Sequence, residues 1–390
     1  MGRIDVLPAS SQAHGLIARA AWLIRRHAAC LDSTALSVAQ STWWRGGQAL
    51  NAAVNRATVC AMRLLRPASA ALATLLLATS LAAQNPATLP PEERAAFEAQ
   101  NRALDETVRS APRLPLVAAP LPLTPPKHPD WALGMVSWVA AGADGLTYLL
   151  QRGAQADPVL VVDRGGRIVR SWGRGLYTMP HAIRVDPQGA VWTTDAASSK
   201  VFKFSPTGTL LMTIEVGGQP SPCGGFCSTT DIAFAANGHL LIADGYRNAR
   251  ILEYTAEGQK VREWGRAGTG PGEFRLPHSI QIDARGTIYV ADRENGRIQR
   301  FTREGTFIGE WRNLGKTFGL TLAGPTLWLS TIPRGPNTAP GWLMAVDPVT
   351  GRVTGLVESS GNHGMAVTPD GDLLLGPGPD QLPQRYSPRR

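Results

Sequence analysis

Between residues 276 and 311, apolar and polar positions alternate in four short bursts separated by polar turns. Residues 279–282 alternate, 283–286 bring Asp and Gly for a turn, and 287–291 form a β-branched and aromatic run. A polar loop at 292–296 leads to alternation over 297–301, and the turn 302–305 opens onto 306–311. Period-two alternation turns one face of each burst towards a core, so the stretch predicts four antiparallel strands. Four such strands in about forty residues make one propeller blade.

The unit recurs. Residues 179–195 followed by 200–204, and 229–244 followed by 250–254, repeat the same order of burst, turn, burst, loop and burst. Asp195, Asp244 and Asp292 close the second burst of each copy and stand 49 and 48 residues apart. Loop capping is the role expected for them. Weaker copies at 137–152 with 159–172, at 318–331 with 342–357, and at 362–376 bring the total to six. The chain is expected to be all-β, a six-bladed β-propeller over residues 131–390.

Composition changes this picture little. A hydrophobic content of 43% over 390 residues allows a large core. The net charge of +9 suggests nucleic acid until it is located. Residues 1–61 hold six Arg against Asp5 and Asp32, and Arg63 and Arg66 follow, so only +3 remains beyond residue 83. No nucleic-acid partner is expected.

The leader has its own pattern. Met62 and Arg63 precede an almost wholly apolar run at 68–81 and then small residues at 82–83. That order reads as a secretory signal peptide over 62–83, so translation is expected to start at Met62, with residues 1–61 an upstream artefact or disordered leader. An N-terminal anchor is the alternative, although the run is short for a stable membrane span. The mature chain is expected to be exported, periplasmic or secreted. Residues 84–130 read as a Pro- and Ala-rich linker, within which 92–108 has helical spacing, with Phe97, Leu104 and Val108 on one weak stripe of a possible short helix. Beyond the leader the only cysteines are Cys223 and Cys227, in a Gly-rich loop. A local disulfide is expected there, with metal binding the sharper alternative.

Overlaying the copies exposes the chemistry. His181 lies 14 residues before Asp195, and His278 lies 14 before Asp292. His363 holds the same place in the sixth copy, while Ser137 and Thr230 occupy it in the first and third. Alternate blades of a six-bladed ring are related by near three-fold rotation. Three imidazoles would therefore meet at one axial point, which suits zinc with an open fourth position. A lone His in a repeat is ordinarily a packed or surface residue, the reading given to His128 and His239. Three at one repeat position on alternate blades point to metal.

Arg152 and Arg293 end the second strand of copies one and four, and Tyr246 sits one residue further on in copy three. Antiparallel pairing puts all three on the face of the histidines. Singly they would decorate a solvated rim. Together, guanidinium groups and a metal would favour the charged phenol, so its pKa is expected to fall.

The segments 179–181, 243–251, 276–279 and 290–299 resemble those of NHL-repeat propellers. More narrowly, residues 131–376 are similar to the peptidyl-α-hydroxyglycine α-amidating lyase domain of the peptide-amidating enzyme. The resemblance implies zinc on His181, His278 and His363, Tyr246 as the catalytic tyrosine, and Arg152 and Arg293 as its arginines. It implies cleavage of a peptidyl-α-hydroxyglycine to a peptide amide and glyoxylate. It also implies a structural calcium held by the carbonyls of Val139 and Ile183 and by an Asp directly after the third histidine.

Here that residue is Gly364, and residues 361–362 are Gly-Asn where the lyases have Met-Pro. Arg247 replaces the cysteine after the tyrosine, leaving Cys223 as the partner for Cys227. The sixth copy ends in a Gly-Pro run at 376–379 rather than an Asp loop. No copper monooxygenase pattern is read, so a hydroxyglycine would come from elsewhere. The expected partner is a small-molecule or peptide substrate, and the expected state a monomer. The rival readings are a non-catalytic propeller that binds a protein or peptide, and another metal-dependent hydrolase such as a lactonase.

Overall fold

The computed structural model describes residues 90–216, 225–335, 341–360, 363–376 and 382–389, all within the unit Leu81–Arg390. Six four-stranded antiparallel sheets follow one another around a ring. Blade 1 comprises Val136–Ala141, Thr147–Gln151, Val159–Val162 and Ile168–Trp172. Blade 2 runs from Pro180–Val185 to Leu210–Glu215, blade 3 from Thr229–Phe234 to Lys260–Trp264, and blade 4 from Pro277–Ile282 to Phe307–Trp311. Blade 5 spans Lys316–Ala323 to Val353–Ser359. The innermost strands of successive blades pack side by side, and that of blade 6, Met365–Val367, touches that of blade 1. The ring is closed.

Burial explains which strands alternate in the sequence. Innermost strands are enclosed on both faces, so Val136–Ala141 is buried almost throughout, whereas outermost Ile168–Trp172 alternates between half-buried and exposed. Between blades the apolar side chains form separate clusters, such as Trp138, Tyr148, Phe202 and Phe204 between blades 1 and 2.

Of the segment expected as a linker over 84–130, the part described, from residue 90 on, is built into the propeller. Leu116–Pro120 pairs antiparallel with Gln384–Pro388, in register from Leu116↔Pro388 to Pro120↔Gln384. It is the outermost strand of blade 6, whose other strands are Met365–Val367, Leu373–Leu375 and Gln384–Pro388. Chain-end pairing covers an otherwise open edge and locks the ring. The strand escaped the sequence pattern because its side chains are mostly exposed and do not alternate.

The helix is longer than expected, Pro91–Ser110, with proline at its start, Glu92 and Glu93 in the first turn and Arg109 in the last. Phe97 and Leu104 are its buried residues, and Leu104 enters the blade 4–5 cluster beside Leu314, Leu320 and Leu329. The Asn101 side chain bonds the backbone of Arg334 twice, donating to its carbonyl at 3.0 Å and accepting from its amide at 2.9 Å. Leu104→Ala is expected to cost about 2–5 kcal/mol in denaturant unfolding, as for other fully buried leucines; a loss near zero would mean that the helix does not share the core.

Candidate metal centre

Every innermost strand of blades 1 to 5 carries a register shift at one repeat position. The shifts span Ser137, His181, Thr230, His278 and Phe318. A bulge leaves its residue out of the ladder and re-aims the side chain, here towards the propeller axis. The loop after the second strand is pinned to the same spot. The amides of Arg152, Tyr246 and Arg293 donate to the carbonyls of Met135, Ser228 and Leu276, each two residues before the bulge residue. This common backbone pattern puts His181, His278, the tyrosine and both arginines at one mouth of the channel, where His363 of blade 6 joins them.

His181, His278 and His363 converge as expected, offering ligand atoms within 4.8 Å of one another. Their ring centroids stand 5.0, 5.0 and 5.1 Å apart, an almost equilateral triangle. Each Nδ1 bonds a backbone carbonyl of the next blade: His181 that of Thr230 at 2.6 Å, His278 that of Phe318 at 2.7 Å, and His363 that of Ser137 at 2.5 Å. A carbonyl only accepts, so Nδ1 carries the proton and Nε2 keeps its lone pair. Burial is the main cause that pulls all three below the ordinary histidine range, His363 to about 3. Three neutral imidazoles with unprotonated Nε2 atoms are a donor set for a transition metal.

The Tyr246 hydroxyl lies 2.7 Å from His181 Nε2 and 3.3 Å from His278 Nε2. Its single proton can serve His181 alone, leaving two lone-pair atoms facing across 3.3 Å. That arrangement invites a cation. In the metal-free chain burial pushes the phenol up, while Arg293 and Arg152 pull it down by less; the fall expected from the sequence also counts the charge of a metal. The guanidinium of Arg293 stands 5.9 Å from the Tyr246 ring centroid. Arg152 Nε donates to the carbonyl of Pro180 at 2.8 Å, and its buried Nη2 has no partner among the described residues.

Several site residues were not singled out from the sequence. Phe226, 41% exposed, packs at a tilt with its ring centroid 4.7 Å from that of Tyr246 and lies under the Arg152 guanidinium. Glu294 pairs with Arg293 at 2.9 Å and with Lys316 at 3.0 Å, and burial lowers Lys316 to about 8. Trp138 floors the site, its ring 5.6–6.2 Å from all three imidazoles. Lys316 stands two residues before the bulge position of blade 5 and Trp138 one after that of blade 1, so a scan of positions flanking the histidines would have flagged them.

The calcium ligand set does not fit. A Cβ at Gly364 would lie 2.0 Å from Trp138 Cδ2, so the indole fills the space a carboxylate would need. Val139 and Ile183 sit in their innermost strands opposite Leu149 and Thr193. Cys227 is disulfide-bonded, while Cys223 lies outside the described residues. The aspartates cap loops as expected: Asp195 accepts from the amides of Met179 and Ala197, both at 2.9 Å.

The depressed imidazoles also set an acid limit. Below the unfolded value near 6.5 the unfolded chain binds protons that the folded, metal-free chain refuses, so stability falls as pH falls. Each histidine contributes up to about 1.4 kcal/mol per pH unit from roughly 6.5 towards its folded value. Urea midpoints of metal-free chain at neutral and acid pH check this; an acid midpoint as high as the neutral one would contradict it.

Fold and site define a six-bladed propeller with an axial tri-histidine cluster and a tyrosine at its mouth, and its sequence is similar to that of the peptidyl-α-hydroxyglycine α-amidating lyases. The model of a family described as a 6-bladed beta-propeller matches residues 225–314. The chain is 32% identical over 244 residues to peptidyl-alpha-hydroxyglycine alpha-amidating lyase 1 of Drosophila melanogaster, covering 54% of this chain and 44% of the fly protein. It is 38% identical over 164 residues to peptidyl-glycine alpha-amidating monooxygenase A of Xenopus laevis, covering 40% of this chain and 18% of that one. The chain thus spans less than half the length of either relative. Among solved structures, a streptogramin B lyase superposes with a TM-score of 0.51 at 17% identity, over 70% of this chain and 98% of the other, a likeness of fold.

Proposed function

We propose that the chain is a zinc-dependent lyase that splits peptidyl-α-hydroxyglycine-like substrates into an amide and glyoxylate. The observation that carries this reading is the Tyr246 hydroxyl seated between the Nε2 atoms of His181 and His278. The names of the relatives support it.

His181, His278 and His363 would hold zinc, which supplies Lewis-acid polarisation of a bound hydroxyl and a positive charge beside the phenol. Tyr246 Oη takes the proton of the substrate's α-hydroxyl as general base. As that oxygen becomes the carbonyl of glyoxylate, the C–N bond breaks and its electron pair passes to the amide nitrogen. The nitrogen leaves with the proton returned from Tyr246, so no other reactant is consumed. Arg293, with its guanidinium over the phenol ring, favours the ionised tyrosine against the cost of burial. Arg152, with Nη2 free, binds the substrate carboxylate.

Trp138 closes the floor beneath the imidazoles, and Phe226 packs against Tyr246 and Arg152. The Cys227 disulfide supports an exported chain in an oxidising compartment. Among the described residues no helix is long and apolar enough to cross a membrane.

Incubation with an acyl-α-hydroxyglycine tests the reaction. Amide and glyoxylate in equal amounts are expected; turnover of a lactone in their place would favour a hydrolase.

A further inference from the structure

Beneath the histidine floor the channel is crossed by a continuous polar brace. Arg184 of blade 2 meets Asp231 of blade 3 through two bonds, Nε to Oδ1 at 2.9 Å and Nη2 to Oδ2 at 2.6 Å. Both residues are buried. Asp231 also accepts from Ser279 Oγ of blade 4 at 2.6 Å and from the amides of Ile232 at 2.8 Å and Ile280 at 3.2 Å. Ser279 Oγ takes the Leu320 amide of blade 5 at 2.9 Å, and Arg184 Nη2 donates to the Leu320 carbonyl at 2.8 Å. On the other side the Arg184 guanidinium lies 5.0 Å from the Trp138 ring centroid of blade 1. Trp138 in turn presses on Gly364 and His363 of blade 6.

All six blades therefore meet at this level through one guanidinium, one carboxylate and one indole. The residues directly after the bulge position are Trp138, Ala182, Asp231, Ser279 and Gly319, with Gly364 following His363. Asp231 is the only carboxylate in that ring, and its oxygens are engaged by Arg184, Ser279 and two amides. The small residues Gly364 and Ala182 leave room for the indole. The only full positive charge in this brace is already covalent. A buried carboxylate so satisfied has little left to offer a divalent ion, and the guanidinium beside it repels one.

We infer that the Arg184–Asp231 pair, capped by Trp138, takes the place of a structural calcium ion. The fold then depends on no second metal, and metal binds only at the histidines. This holds whatever substrate the site above it accepts.

Thermal unfolding of the zinc-loaded chain in calcium, with magnesium as control, tests the inference together with metal analysis after gel filtration. Calcium is expected to leave Tm where magnesium leaves it and to be absent from the eluted protein. A retained calcium, or a Tm raised by several degrees as linkage requires for a tightly bound ion, would overturn it. Asp231→Asn keeps the shape but strands the buried guanidinium. It is expected to lower Tm by roughly 10 °C, a loss that calcium does not restore. The double variant Arg184→Met with Asp231→Leu removes both charges and is expected to regain most of that loss. An Asp231→Asn Tm equal to wild type would show that the pair braces nothing.

Discussion

Tyr246→Phe is expected to lower glyoxylate release by roughly 10²–10⁴-fold at saturating substrate, the range for loss of a general base, with zinc content unchanged. The substitution removes one oxygen and keeps the ring, which remains packed 4.7 Å from Phe226 and 5.2 Å from His181. Pocket shape and the three imidazoles are retained, so the loss falls on proton transfer rather than on folding. Single-turnover assays beside a zinc titration separate the two. A variant within a few-fold of wild type would remove Tyr246 from the chemistry and favour a hydrolase or a binding propeller.

His278→Ala should have the largest effect on metal. It deletes one of three ligands and leaves the carbonyl of Phe318 without its donor. Removing only an outer partner of a metal-bound histidine typically costs 10–100-fold in affinity, so losing a ligand should cost more than about 100-fold. Competition against a chromogenic chelator reads this directly. Activity should fall with zinc occupancy; wild-type affinity in the variant would mean that metal binds elsewhere.

The triad was legible because the histidines keep one place in the repeat, which in blades 2 and 4 is the bulge shared by blades 1 to 5. A 14-residue spacing to a capping aspartate then marks one geometric position, and alternation over six blades supplies the three-fold. Arg152, Arg293 and Tyr246 were legible for the same reason, their amides being pinned to equivalent carbonyls. Features created by closing the ring were not. Leu116–Pro120 and Gln384–Pro388 come from opposite ends of the propeller, and neither pattern names the other. Arg184 and Asp231 occupy different repeat positions in adjacent blades, so overlaying the copies never juxtaposes them. The burial that pushes the Tyr246 phenol up in the metal-free chain was not legible either, because nearby charges can be counted along the chain but burial cannot. Where the calcium pattern broke at Gly364, the sequence showed the missing carboxylate but not the indole that fills its place.

The most direct test of the lyase account is glyoxylate release from an α-hydroxyglycine peptide by the whole chain, stripped of metal and then titrated with zinc. The account predicts activity that rises from background to a plateau at about one zinc per chain, as a single three-histidine site requires. Saturation with zinc but no glyoxylate, or the same rate in the stripped chain, would contradict it.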